Sequence, residues 1–134
     1  MINKIKRDSN MNEKIQKIAK EISKVKNVKA VFLFGSYATG KQNAKSDIDL
    51  CVLGKLNEKQ KNEVLRYSSE KIDISIFDEL PIWIKTRVFI DGKPIVNKNE
   101  KEVLEIAFRT MHEWEDFRPL IQNRAYRRFG KCTI

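Results

Sequence analysis

Two short segments, Asp47 to Leu53 and Ile72 to Phe77, alternate strictly between aliphatic residues and small or acidic ones. A period of two belongs to β-strands, because successive side chains of a strand point to opposite faces. Ile48, Leu50 and Val52 therefore share one face, and Asp47, Asp49 and Cys51 the other. In the second segment Ile72, Ile74 and Ile76 oppose Asp73 and Ser75. A third run, Val28 to Phe34, is almost continuously apolar and reads as a strand buried on both faces.

The rest of the chain supplies cover for these strands. Asn12 to Lys26 carries Ile15, Ile18, Ala19, Ile22 and Val25 at the spacing of one helical face. A polar, turn-rich connection runs from Gly35 to Ser46. Asn57 and Gln60 form a capping pair that opens a helix reaching about Glu70. Leu80 to Arg87 is a short helix with Pro81 in its first turn. Val88 to Val96 reads as a hairpin turning at Asp91-Gly92. A last helix opens on Asn99 and Glu102, with Val103, Ile106, Ala107, Thr110, Met111 and Trp114 on one side, and is expected to break at Pro119. This alternation predicts the α/β (α+β) class: a small mixed sheet with flanking helices. The 134 residues suffice for a single domain, with a core over about 12–118 and a basic tail over 119–134.

Composition narrows the function classes. No apolar run approaches the roughly 18–20 residues needed to span a bilayer. Met1 to Asn10 has no apolar segment of the secretory kind, and the two cysteines, Cys51 and Cys132, lie far apart. A cytoplasmic location is the expectation. His112 is the only histidine, so a Cys/His zinc site lacks ligands. The formal charge is +9, from 27 Lys+Arg against 18 Asp+Glu. A lysine-rich solvated surface explains it as well as attraction to a polyanion does. Direct nucleic acid binding by the tail basics, Arg118 to Lys131, is possible but not favoured.

Against that basic background the acids are conspicuous. Asp47 and Asp49 project from one face of a strand about 7 Å apart at the backbone. If the strand of Asp73 is its neighbour, three carboxylates converge on one patch. Bare, they would repel one another and raise each other's pKa, a conflict that a divalent cation removes. Oxygen-only ligands suit magnesium or manganese. Just upstream, Gly35 and Ser36 close a buried strand, and a glycine there lets a phosphate approach backbone N–H groups and the serine hydroxyl.

Phe34-Gly35-Ser36, ten residues, then Asp47-Ile48-Asp49-Leu50 resembles the signature of the DNA polymerase beta-like nucleotidyltransferase superfamily. The short length and the flanking Ser36-Tyr37-Ala38-Thr39-Gly40 look most like its minimal nucleotidyltransferase branch, which includes antitoxins (type VII) paired with HEPN-domain toxins. The resemblance implies transfer of AMP from ATP to a hydroxyl, with pyrophosphate leaving. It casts Asp47, Asp49 and Asp73 as catalytic residues holding two Mg2+ ions (Mn2+ in their place being possible), and Gly35 and Ser36 as nucleotide-binding. The implied acceptor is a tyrosine of a HEPN ribonuclease toxin, with which the chain would form a hetero-oligomer. Alternatives are a non-catalytic antitoxin that neutralises by binding, or transfer to a small-molecule hydroxyl. Many members carry arginine where this chain has Thr39, so Lys41 or Lys45 would have to replace it against the triphosphate. His112 is read as solvated, Trp83 and Trp114 as core or interface anchors, and Cys51 as a buried structural thiol.

Overall fold

The computed structural model describes residues 2–41 and 47–129, with side chains over 11–41 and 47–120. Helix α1 spans Ile2–Ser23, strand β1 Ala30–Phe34, and the four-residue helix α2 Ser36–Thr39. Strand β2 is Ile48–Leu53, helix α3 Glu58–Leu65 and strand β3 Ile72–Ile76. A 3-10 turn over Phe77–Glu79 leads to helix α4, Ile82–Ile90, then strand β4, Lys93–Asn97, and helix α5, Glu100–Phe129.

The four strands form one mixed sheet in the order β3-β2-β1-β4. β1 is antiparallel to both β2 and β4, while β2 and β3 are parallel, joined through α3. The alternation read from sequence divides the sheet into two faces. Val31, Leu33, Ile48, Leu50, Val52, Ile72, Ile74 and Ile76 form one core with Ile15, Ala19 and Ile22 of α1 and Val64 of α3. On the other face Ala30, Phe32, Cys51 and Leu53 pack beneath Val88 of α4 and Val103 of α5, with Phe77. Burying several aliphatic side chains on each face, at about 1.5–3 kcal/mol apiece, offsets the conformational entropy of ordering so short a chain. Both helix caps form at the asparagines named above. The Asn57 side chain accepts from the Gln60 N–H and the Gln60 side chain from the Asn57 N–H, at 2.8 and 2.9 Å. The Asn99 side chain accepts from the Glu102 N–H at 3.1 Å.

Two expectations are corrected. The segment from Val88 to Val96 is not a hairpin: Val88 to Ile90 complete α4, and β4 pairs with β1 instead. Asp91-Gly92 turns a helix into a strand. Gly92 is required there because a Cβ would strike the Val88 carbonyl oxygen. As an edge strand, β4 tolerates Pro94, which sits opposite Phe32 where the register shifts. Nor does Pro119 end the last helix, since α5 continues to Phe129. A proline inside a helix removes one donor and releases the carbonyl four residues earlier. Here Pro119 and Glu115 are both exposed, so water can serve the released group. The connection from Gly35 to Ser46 also contains the helical turn α2, and its residues 42–46 lie outside the described residues.

Candidate active site

The three acids stand where alternation places them, and the sheet brings them together. In the parallel register of β2 and β3, Asp49 is the direct partner of Asp73. In the antiparallel register of β1 and β2, Asp49 lies opposite Phe34, so the next residue, Gly35, turns beside it. Asp47 precedes β2 by one residue and is exposed, as is Asp73, whereas Asp49 is half-buried between its neighbours. The Asp49 carboxyl is held above the usual carboxylate range. Burial is the largest cause, followed by the negative charges of Asp73 and then Asp47. That coupling is the physical signature of an acidic patch. The three side chains are neighbours without forming a closed cage: among the described residues, no group of three or more His, Cys, Asp or Glu is arranged to hold a metal ion as it stands.

Gly35 is fixed by geometry. Its φ of 76° lies in the left-handed region, and a Cβ on it would collide with the Asp49 carboxylate, whose Cγ is only 3.2 Å from that position. The chain thus brings a bare backbone against the central carboxylate, which no larger residue permits. From Gly35 the chain enters α2, where the Ala38 and Thr39 N–H groups return to the Gly35 carbonyl at 3.1 and 3.3 Å. The Thr39 hydroxyl bonds inward as well, to the carbonyls of Gly35 and Ser36 at 3.4 and 3.3 Å. Lys41 follows the turn, exposed, with its N–H on the Ser36 carbonyl at 3.0 Å. Lys45 lies outside the described residues.

The remaining candidates fall away from the patch. Cys51 shares the face of Asp47 and Asp49 but is fully buried under α4 and α5, and its thiol is pushed far up, chiefly by burial. The structural assignment of that thiol holds. His112 lies exposed within α5. Trp114 is half-buried against Phe117, and Trp83, 49% exposed, stacks on the same ring at 6.1 Å. The Lys71 ammonium stands 5.9 Å from the centroid of the Tyr37 ring, and Tyr37 packs against the core on the α1 and α3 face of the sheet.

This geometry has relatives. A family model described as "Polymerase beta, Nucleotidyltransferase" matches residues 13–101. A protein of Methanocaldococcus jannaschii, named as a candidate protein adenylyltransferase, is 32% identical over 96 residues, which cover 72% of this chain and 77% of the relative. The chain therefore belongs to the polymerase beta nucleotidyltransferase family. Among solved structures, a toxin-antitoxin complex with AMP-PNP superposes with a TM-score of 0.62 at 20% identity, covering 84% of this chain and 96% of the other. A chain of the complex of a tri-AMPylated HEPN toxin of Shewanella oneidensis with MNT antitoxin gives 0.55 at 18% identity, over 84% and 93%. At these identities the two structures establish a shared fold. No described helix is long and apolar enough to cross a membrane.

Proposed function

We propose that this chain is a magnesium-dependent protein adenylyltransferase that moves AMP from ATP to a tyrosine hydroxyl of a HEPN-domain ribonuclease toxin, and so acts as its antitoxin. The observation that carries the reading is the Asp49–Asp73 register pair, with Asp47 on the same patch and Gly35 turned against Asp49. Support for a protein acceptor comes from the M. jannaschii relative's name, and for a toxin partner from the complexes that share the fold. The cytoplasm is the compartment where ATP and such a partner would be met.

The donor set fits divalent cations. All its ligands are carboxylate oxygens, two of the three side chains are exposed, and their mutual repulsion is what a cation would relieve. Asp47, Asp49 and Asp73 would hold two magnesium ions, with manganese able to replace them. When bound, such ions would neutralise phosphate charge and lower the cost of forming the acceptor's phenolate. The chain's own residues do the rest. Gly35 leaves room for phosphate oxygens next to the backbone, and the Ser36 hydroxyl can donate to them. The acceptor oxygen attacks the α-phosphorus as the bond to the β-phosphate oxygen breaks. Pyrophosphate leaves, and the hydroxyl proton passes to the Asp73 carboxylate.

Intact-mass measurement of the purified partner after incubation with this protein, ATP and magnesium tests the reading. A gain in whole AMP increments, absent with Asp47→Ala/Asp49→Ala, is the expected result. Neutralisation of the toxin by that double variant, with no mass gain on wild type, would overturn it in favour of inhibition by occlusion.

A further inference from the structure

Helix α5 carries more apolar surface than the sheet uses. Its inner side is committed to the fold: Val103 and Thr110 are buried, and Ile106 packs with Val103 against the core under α4. Leu104 and Phe108 lie one turn apart on another side of the helix and are 55% and 66% exposed. Met111, half-buried, continues that line at the next turn. Ile90, 64% exposed, ends α4, the helix that packs against α5. Adjacent apolar side chains this open form a patch that the chain's own core does not need and that water disfavours.

The charge pattern of the same helix says what covers the patch. By sequence, Glu100 to Phe117 holds six acids against two bases, Lys101 and Arg109. Arg118 to Phe129 holds four arginines and no acid. The helix dipole favours acids in the first turn and bases in the last. It does not account for Glu113, Glu115 and Asp116, which lie more than three turns in, or for a change of sign at Arg118. A helix with oppositely charged halves is complementary to its own copy when the copy is reversed, and repels it when parallel. At 1.5 Å per residue α5 is about 45 Å long, so a reversed copy can engage both halves at once. Such a pair is closed by a two-fold axis, with the same face serving both partners.

We infer that the Leu104–Phe108 face is covered by a second copy of this chain, the two α5 helices running antiparallel with the acidic half of each beside the basic half of the other. Burial of the apolar line supplies the attraction, and the charges fix the direction. The contact leaves the acidic patch free. α5 begins at the far end of the sheet, where Glu102 pairs at 3.3 Å with Lys29, just ahead of β1, whereas Gly35 follows the other end of that strand. Each dimer thus presents two patches, and the pairing does not depend on the reaction they perform.

Sedimentation equilibrium of the full chain from about 1 to 100 μM is expected to show a monomer–dimer equilibrium. Leu104→Ser/Phe108→Ser should weaken it about tenfold or more, with circular dichroism showing an unchanged fold. Two charge variants read the direction of pairing. Glu105→Lys/Glu113→Lys/Glu115→Lys makes both halves of α5 net basic, and Arg118→Glu/Arg124→Glu/Arg127→Glu makes both net acidic. Each alone should fail to pair, while an equimolar mixture should form a heterodimer. A wild-type chain that stays monomeric across the range overturns the inference. If Leu104→Ser/Phe108→Ser then also fails to bind the protein acceptor, the face belongs to that partner instead. A dimer indifferent to Leu104 and Phe108 overturns it as well, by putting the contact elsewhere, and so does a mixture of charge variants that remains monomeric.

Discussion

The face of β2 that looks toward α4 and α5 carries Asp49, Cys51 and Leu53, and Asp47, one residue before the strand, is in phase with them. Backbone geometry treats them alike, yet the two halves have opposite fates. Cys51 and Leu53 are sealed beneath Val88 and Val103, in a core with Phe32 and Phe77. Asp47 is exposed and Asp49 half-buried, against a glycine that offers no side chain. The thiol and the Asp49 carboxyl both titrate above their ordinary ranges, with burial the largest cause in each. Their second causes differ. For Asp49 these are the like charges of Asp73 and Asp47, and for Cys51 the charge of Asp78, opposed by Lys85. Chemistry on this strand is decided by which end the covering helices leave open.

The largest expected effect comes from removing charge at the open end. Asp49→Ala should lower AMP transfer by about a hundredfold to a thousandfold, since it removes a group that acts on developing phosphate charge. The protein should remain folded, which a steady-state assay paired with circular dichroism would verify. Transfer near the wild-type rate would erase the distinction between the two ends.

Moving the same chemistry two residues along should fail differently. Cys51→Asp places a carboxylate in phase with Asp47 and Asp49 but under the helices. It should cost about 3–5 kcal/mol of stability, as an unpaired buried charge does. Chemical denaturation would measure it, and a loss below about 1 kcal/mol would mean that the covered end is as permissive as the open one.

Gly35→Ala should give an intermediate result. Its Cβ has to displace the Asp49 carboxylate and the backbone must hold a positive φ, so about 1–3 kcal/mol of stability and most of the transfer activity should be lost together. Thermal unfolding and the transfer assay on one preparation can separate the two. Full activity would show that the close approach of backbone and carboxylate is incidental.

The smallest effect concerns pH. Because the folded-state pKa of Asp49 is raised, the folded protein binds this proton over a window where the unfolded chain does not. Stability should therefore rise as pH falls through the folded value toward the ordinary carboxylate range. Asp49→Asn should flatten that slope and stabilise the metal-free protein slightly at neutral pH, the effect being limited by partial exposure. Denaturation curves recorded in chelator across that window would show the slope. An unchanged slope would break the assigned repulsion.

Much of this was legible in sequence because the strand period is short and strict. Alternation alone placed Asp47 and Asp49 on one face and Asp73 in phase on its own strand. The parallel pairing that joins them follows from the helix between β2 and β3. What escaped depended on partners distant in the chain. Val88 to Ile90 has strand-like composition, but its neighbour is Val103 rather than β4, and β4 finds its partner in β1. A local turn signal at Asp91-Gly92 could not reveal that. Pro119 reads as a helix breaker in sequence, whereas the exposure of Pro119 and Glu115 that lets α5 continue is a property of the folded chain.

The most direct test of the open-end account is a crystal of the protein with a non-hydrolysable ATP analogue and manganese, read by anomalous scattering. Manganese peaks within about 2.2 Å of carboxylate oxygens of Asp47, Asp49 and Asp73, with the triphosphate against Gly35 and Ser36, are the predicted result. Nucleotide and metal seated elsewhere, for example in the cleft between Lys29, Lys55 and Lys85 at the covered end, would contradict it.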